Sequence, residues 1–544
     1  MAPRNPRTRL ATHEVSNQPP PLEDVNLYSA DAILTSACAW SGAASEAARL
    51  TAFGARVGSA EAQAWGVQAN RTPPIFHPYD RYGRRIDEVE FHPAYHELMR
   101  IGLEAGVSGA AWNVAKAGHA THAALLFLMG QADYGVCCPM SMTYAVVPAL
   151  RVEPKVAESW APLVTAEVYD QRFIPAAEKR AVTMGMAMTE KQGGSDVRAN
   201  TTRATVQSDG SYELVGHKWF CSAPMSDAFL TLAYTEAGLT CFLVPRWRPG
   251  DGQSGGDRNA IEIQRLKDKL GDRSNASSEI EYRGAWAERV GEEGRGVRTI
   301  IEMVALTRLD CIIGSATQMR QACALAAWHA QGRSAFQKKL IDQPLMRAVL
   351  ADLALDVEAG VALAFRLAMA LDNADSPREA ALARIGLPLA KYLVTKRAPA
   401  VVAEAMECHG GAGYVEESLL PRLFRQSPLN AIWEGSGNVI ALDMVRALAR
   451  EPESRDALLG ELREAGVHEE AEALLAAPIA ERDARHVIER LALSLAAATL
   501  VKTAPAPVAG AFIASRLRGP TITFGAHASG ADEAALLDRL ALQA

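Results

Sequence analysis

The spacing of apolar residues changes twice along the chain, and the two changes divide it. Over residues 28–168 apolar and alanine positions recur every three or four residues, clearly so in 109–130, which predicts packed helices. The polar stretch 73–85 between them reads as a loop. From about 181 to 287 the period shortens to two. Residues 204–216 predict two strands around the Asp209-Gly210 turn, and 229–234, 240–244 and 261–265 continue as short strands. Helical spacing then returns. One helix is expected over about 298–331, and a second opens at Pro344, a favoured first-turn residue, and fades near Asp372. A third spans about 378–408, with a kink expected at Pro388 and a stop at Gly410-Gly411, and a fourth follows Gly437. Helices of this length predict a bundle. The remainder reads as helical with a proline-rich break at 503–507. The expected fold class is α+β. It comprises an N-terminal helical domain (1–180), a middle β-barrel or sandwich (181–290), a C-terminal four-helix bundle (291–450) and an appended helical region (451–544).

Composition changes this picture in few places. A chain of 544 residues exceeds one compact core, in keeping with several domains. The apolar run 491–501 lies between Arg490 and Lys502 and falls short of the roughly 20 residues of a bilayer span, so no membrane partner is expected. The first nine residues carry three arginines with no apolar segment behind them, unlike a secretory leader. Eight cysteines without a Cys-x-x-Cys pair suit buried thiols in the reducing cytoplasm. His92 and His96 share a helical spacing, but no acidic or cysteine cluster completes a ligand set, so no metal is expected. The net charge of -7 argues against a general phosphate-binding surface.

Chemistry concentrates in a few strings. Residues 187–196 form a turn-rich loop whose glycines let backbone N–H groups approach a planar or anionic ligand, with Thr189 and Ser195 adding hydroxyls. Some thirty residues on, 216–222 places aromatic residues beside Cys221 and Ser222. Residues 407–414 carry a glycine-rich helix stop. Finally, 432–438 sets Glu434 ahead of a helix, a position that by itself suits any acid.

Together these strings resemble the acyl-CoA dehydrogenase family over about residues 20–450. The resemblance implies FAD, wrapped by Met186, Met188, Thr189, Gly194 and Ser195 of the first signature and faced by Phe220, Cys221 and Ser222, where many members have Trp and Thr in place of Phe220 and Ser222. It implies that Gly410 and Gly411 meet the FAD of a neighbouring subunit, as do Arg333 and Phe336, an Arg-x-x-Phe pair whose arginine suits a pyrophosphate. Glu407 stands where many members have Gln, and Gln426 where an acidic residue is usual. In 432–438 the resemblance makes Glu434 the catalytic base, with Ile432, Trp433, Gly435, Ser436 and Asn438 at the flavin. Arg308 resembles a family arginine near the substrate mouth; a helix salt bridge is an equal reading.

The strings 189–196, 200–204, 265–271, 273–277 and 404–407, with the appended region, are similar to the AidB branch. That branch implies a homotetramer, weak acyl-CoA dehydrogenase activity and DNA binding in the response to alkylation damage. Two functions follow. One is an enzyme that abstracts the α-proton of an acyl-CoA with Glu434 while β-hydride passes to the flavin. The other is a DNA-associated flavoprotein with residual activity. From residue 446 onward eleven basic residues face fourteen acidic ones. Duplex binding is therefore expected to be weak, with Arg482, Arg485, Arg516 and Arg518 as its contributors.

Overall fold

A computed structural model describes residues 7–249, 257–519, 523–526 and 532–543. The N-terminal part is helical from Ala32–Ser41 to Pro154–Val164. Its first helix starts where the Asp31 carboxylate accepts the N–H groups of Ile33 and Leu34. The stretch expected to be a loop instead contributes a hairpin, β1 (Ile75–Tyr79) paired antiparallel with β2 (Arg85–Glu90). Its signal was hidden because the turn at 80–84 is dense in charge, and Asp80 organises it by accepting the N–H groups of Tyr82 and Arg84.

The middle domain contains β3 (Met184–Ala187), β4 (Arg203–Val206), β5 (Tyr212–Ser222), β6 (Ala228–Thr235), β7 (Gly238–Pro245), β8 (Ile261–Leu266) and β9 (Ser277–Val290). The pairings β6-β4-β5-β9-β7-β6 close a ring, with β3 added parallel to β6 and β8 antiparallel to β9. The domain is thus a barrel rather than an open sandwich. The hairpin around Asp209-Gly210 is present as β4–β5. The long strand β9, which pairs with three others, was not anticipated from sequence.

The three long helices run Gly296–Gly332, Pro344–Asp372 and Pro377–Glu407, and the fourth runs Gly437–Arg450. Pro388 lies inside the third, as does Pro399. The appended region does not form a separate core. Leu491 and Leu495, within the apolar run of the Ala484–Thr503 helix, join one continuous core with Leu355, Leu367 and Leu382 of the bundle. Residues 30–31 and 540–543 also meet around one side chain. Arg320, fully buried, donates to the Asp31 carboxylate (2.9 Å) and to the Leu540 carbonyl (2.8 Å), and Gln543 N–H donates to the Ala30 carbonyl.

Among the described residues no helix is long and apolar enough to cross a membrane.

Candidate active site

Glu434 and Gly435 lie in a tight turn with consecutive positive φ values of 56° and 97°. A non-glycine residue held there is strained and persists only where surroundings impose it. Three side chains do so. Lys391, 1% exposed on the Pro377–Glu407 helix, donates to the carbonyls of Asn430 (3.0 Å), Trp433 (2.9 Å) and Gly435 (2.8 Å). Arg308 Nε donates to the Glu434 carbonyl (3.3 Å), while its Nη1 pairs with Asp443 (2.7 Å), which Arg384 also holds. The Trp433 indole N–H donates to the buried Asn430 amide oxygen (2.8 Å).

The Glu434 carboxylate is partly buried and accepts the Thr307 hydroxyl at 2.9 Å. Burial raises its carboxyl above the ordinary carboxylate range, and the nearby Asp310 adds to the rise. Thr307, Lys391 and Arg308 oppose them without reversing the shift. A base raised above the ordinary carboxylate range is better matched to removing a weakly acidic carbon proton than a solvated glutamate. Among the described residues no acceptor meets the Glu434 N–H.

The first-signature loop is held differently from what its sequence suggests. Glu190 points inward, fully buried, and pairs with the equally buried Lys218 of β5 at 2.9 Å. It also accepts both the N–H and the hydroxyl of Thr201 and of Thr202. Burial alone would raise the Glu190 carboxyl, but Lys218 and these hydrogen bonds outweigh it and hold it at about 2. Burial pushes the Lys218 ammonium down to about 8 against the pull of Glu190. Glu190 is therefore the anchor of the loop. It leaves Met186 and Met188 half-buried and Gly194 and Ser195 exposed at the open side. A Cβ on Gly194 would stand 2.8 Å from the Thr189 hydroxyl, so a larger residue there would push the Thr189 side chain aside.

On β5 a bulge between Lys218 and Cys221 shifts the inward phase by one residue. Phe220 is thereby turned outward, 49% exposed, and Ser222 shares that face and meets the Ser277 hydroxyl at 3.1 Å. Cys221 faces the core, where burial pushes its thiol up to about 12. Its carbonyl accepts the Ser278 hydroxyl at 3.0 Å. Trp219 stacks under the Lys267 ammonium, 3.3 Å from the ring centre.

Arg333 ends the Gly296–Gly332 helix and donates to the Asn17 carbonyl (2.9 Å). Phe336 sits at the tip of a hairpin between β10 (Ser334–Ala335) and β11 (Lys338–Lys339) with φ 52° and its ring 96% exposed. Arg333 thus caps the end of the helix whose Thr307 meets Glu434, and Phe336 lies on the hairpin that follows it. Gly410 takes φ 60°, and a Cβ at Gly410 or Gly411 would meet nothing within 4 Å. Gln426 accepts the Asp272 N–H at 2.6 Å, so the residue standing where an acid was usual serves the β8–β9 connection. Ser436 and Asn438 open the Gly437–Arg450 helix, and Asn438 accepts from Arg485 at 3.1 Å. Ile432 is exposed. His92 and His96 do not form a pair: His92 caps the Pro93–Glu104 helix, and His96 bonds the Tyr169 hydroxyl.

Three family models cover most of the chain. The adaptive response protein AidB N-terminal domain matches residues 17–171, the acyl-CoA dehydrogenase middle domain 185–285, and the acyl-CoA dehydrogenase C-terminal domain 294–449. The chain is 48% identical to the putative acyl-CoA dehydrogenase AidB of Escherichia coli over 443 residues, 81% of each protein. It belongs to the acyl-CoA dehydrogenase family. Within that family it falls in the AidB branch. A second relative, acyl-CoA dehydrogenase family member 11 of Caenorhabditis elegans, is 34% identical over 74% of this chain and 67% of its own. A solved acyl-CoA dehydrogenase family structure from Caenorhabditis elegans, in complex with C11-CoA, superposes with a TM-score of 0.80 and 26% identity, covering all of this chain and 95% of the other.

Proposed function

We propose that the chain is an FAD-dependent acyl-CoA dehydrogenase acting on CH–CH groups, with Glu434 as its base. The setting of Glu434 carries this reading: a carboxylate raised by burial, steadied by Thr307, on a turn whose own N–H meets no acceptor among the described residues. Bound FAD would supply the hydride acceptor for the β-carbon. The residues present suit it. Phe220 and Ser222 offer an open apolar face and a hydroxyl, and Gly410 and Gly411 leave room for close approach. The chain's part is proton chemistry. Glu434 takes the α-proton of the thioester, while Arg308 and Lys391 hold the backbone of its turn.

Homotetramer assembly with shared FAD sites fits the projecting Arg333–Phe336 hairpin, whose exposed ring suits a neighbouring subunit rather than solvent. We place the enzyme in the cytoplasm, where its eight thiols would stay reduced. A DNA-associated role in the alkylation response is the competing reading, and the internal pairing of C-terminal cations counts against it. Arg516, Arg490 and Arg539 pair with Asp352 and Asp356, Glu470, and Glu358 respectively. Turnover of a panel of acyl-CoAs with an artificial electron acceptor tests the proposal. Flavin bleaching by at least one acyl-CoA is expected, and no bleaching by any of them would overturn it.

A further inference from the structure

The proposed chemistry requires more than a base. As the α-proton leaves, negative charge gathers on the thioester oxygen, and a donor aimed at that oxygen lowers the barrier more than any group aimed at the ground state. The Glu434 N–H adjoins the base and has no acceptor among the described residues. What aims it is on the other side of the same peptide. In a trans peptide the carbonyl and the N–H point in opposite directions. The carbonyl of the Trp433–Glu434 peptide is gripped by Lys391 from within the protein.

Lys391 also grips Asn430 and Gly435, so its nitrogen serves three carbonyl oxygens at once. A neutral amine carries only two N–H bonds, so three acceptors call for the ammonium form. A cation hydrogen-bonded to a carbonyl polarises that peptide and strengthens the N–H at its far end. In the acyl-CoA dehydrogenase family the backbone N–H of the base holds the thioester oxygen; we infer, resting on the acyl-CoA reading above, that here Lys391 is the positioning residue that fixes the direction of that N–H and strengthens it as a donor. The left-handed turn is the conformation in which Lys391 and Arg308 hold three successive carbonyls, 433 to 435.

The test uses the holoenzyme carrying Glu434→Gln, which keeps the N–H but cannot take the proton, bound to acyl-CoAs labelled with ¹³C at the thioester carbonyl. Difference infrared spectroscopy is expected to place the bound carbonyl at lower frequency than the free one. Adding Lys391→Met should remove at least half of that displacement. In the base-intact enzyme the same change should lower kcat on the order of ten- to a hundredfold with KM altered only a few-fold. If Lys391→Met fails to retain flavin or to melt cooperatively, Lys391→Gln, which keeps one donor, is read in the same way and should give an intermediate displacement. A carbonyl displacement untouched by either variant would overturn the inference. So would its absence with Lys391 intact, and wild-type flavin bleaching then decides separately whether the acyl-CoA reading survives.

Discussion

The Thr307 hydroxyl favours the charged form of Glu434, while burial disfavours it more strongly. This sets the direction of the pH dependence. The base works only when deprotonated, so the rate falls as pH drops through its raised pKa, above the roughly 4.3 of a solvated glutamate. Thr307→Val removes the opposing hydrogen bond, and the acid limb of kcat/KM should move to higher pH while the alkaline plateau changes little; an unmoved limb would show that the hydroxyl does not bear on the base. Glu434→Gln should leave FAD bound and lower acyl-CoA-dependent bleaching by on the order of a thousandfold, read by stopped-flow absorbance. Glu434 itself was legible because its neighbours form one contiguous string. Thr307 was not: it adjoins Arg308, but nothing in the sequence ties its hydroxyl to a carboxylate 127 residues away. Lys391 did leave a signal: a lone lysine inside the apolar run 387–394 of a helix otherwise facing the core.

At the scale of elements, the loop 188–196 and β5 are joined by one buried ion pair. Removing a single partner strands a charge, so Glu190→Gln or Lys218→Met alone should cost about 3–5 kcal/mol, whereas the double change should recover much of that loss, measured by chemical denaturation. The wild type should also lose stability with acid. The Glu190 carboxyl lies lower folded, at about 2, than unfolded, so its contribution is full above roughly 4.3 and disappears as pH falls towards 2. The profile of Glu190→Gln should be flatter in that window. The alternation of β5 could have exposed the pair, since Lys218 continues the inward series of Tyr212 and Leu214. The bulge that follows could not be read in the same way, because it depends on the register with β9, itself unseen in the sequence. The long helices were readable to within a few residues because their prolines and glycines mark their ends. The charged β1–β2 hairpin was not, because polar turns and polar loops look alike.

For the whole molecule the question is what its surfaces meet. Arg333→Ala should weaken FAD retention and tetramer stability together, measured by flavin content and sedimentation; losing neither would leave Arg333 as the partner of Asn17 alone. Duplex binding should be weak and fall steeply as salt rises towards physiological strength. Of the arginines expected to contribute, Arg516 is buried in a pair with Asp352 and Asp356, so Arg516→Ala should lower the melting temperature and leave any DNA affinity unchanged. Arg482, Arg485 and Arg518 remain at the surface. Sequence alone weighed these charges by number, and their direction is what the fold adds.

The clasp at Arg320 bears on how the protein is made. One of its acceptors, Asp31, precedes it in synthesis, but the Leu540 carbonyl lies 220 residues downstream. At a translation rate of roughly 5–20 residues per second, that acceptor follows about 10 to 40 seconds after the arginine. Throughout that interval the apolar seam that the last helix will cover stays open on a nascent chain, with a guanidinium at its centre still short of one partner. The interior around Arg320 is therefore completed late, when the Glu533–Leu540 helix arrives, and that seam is where aggregation would compete with folding during each round of synthesis.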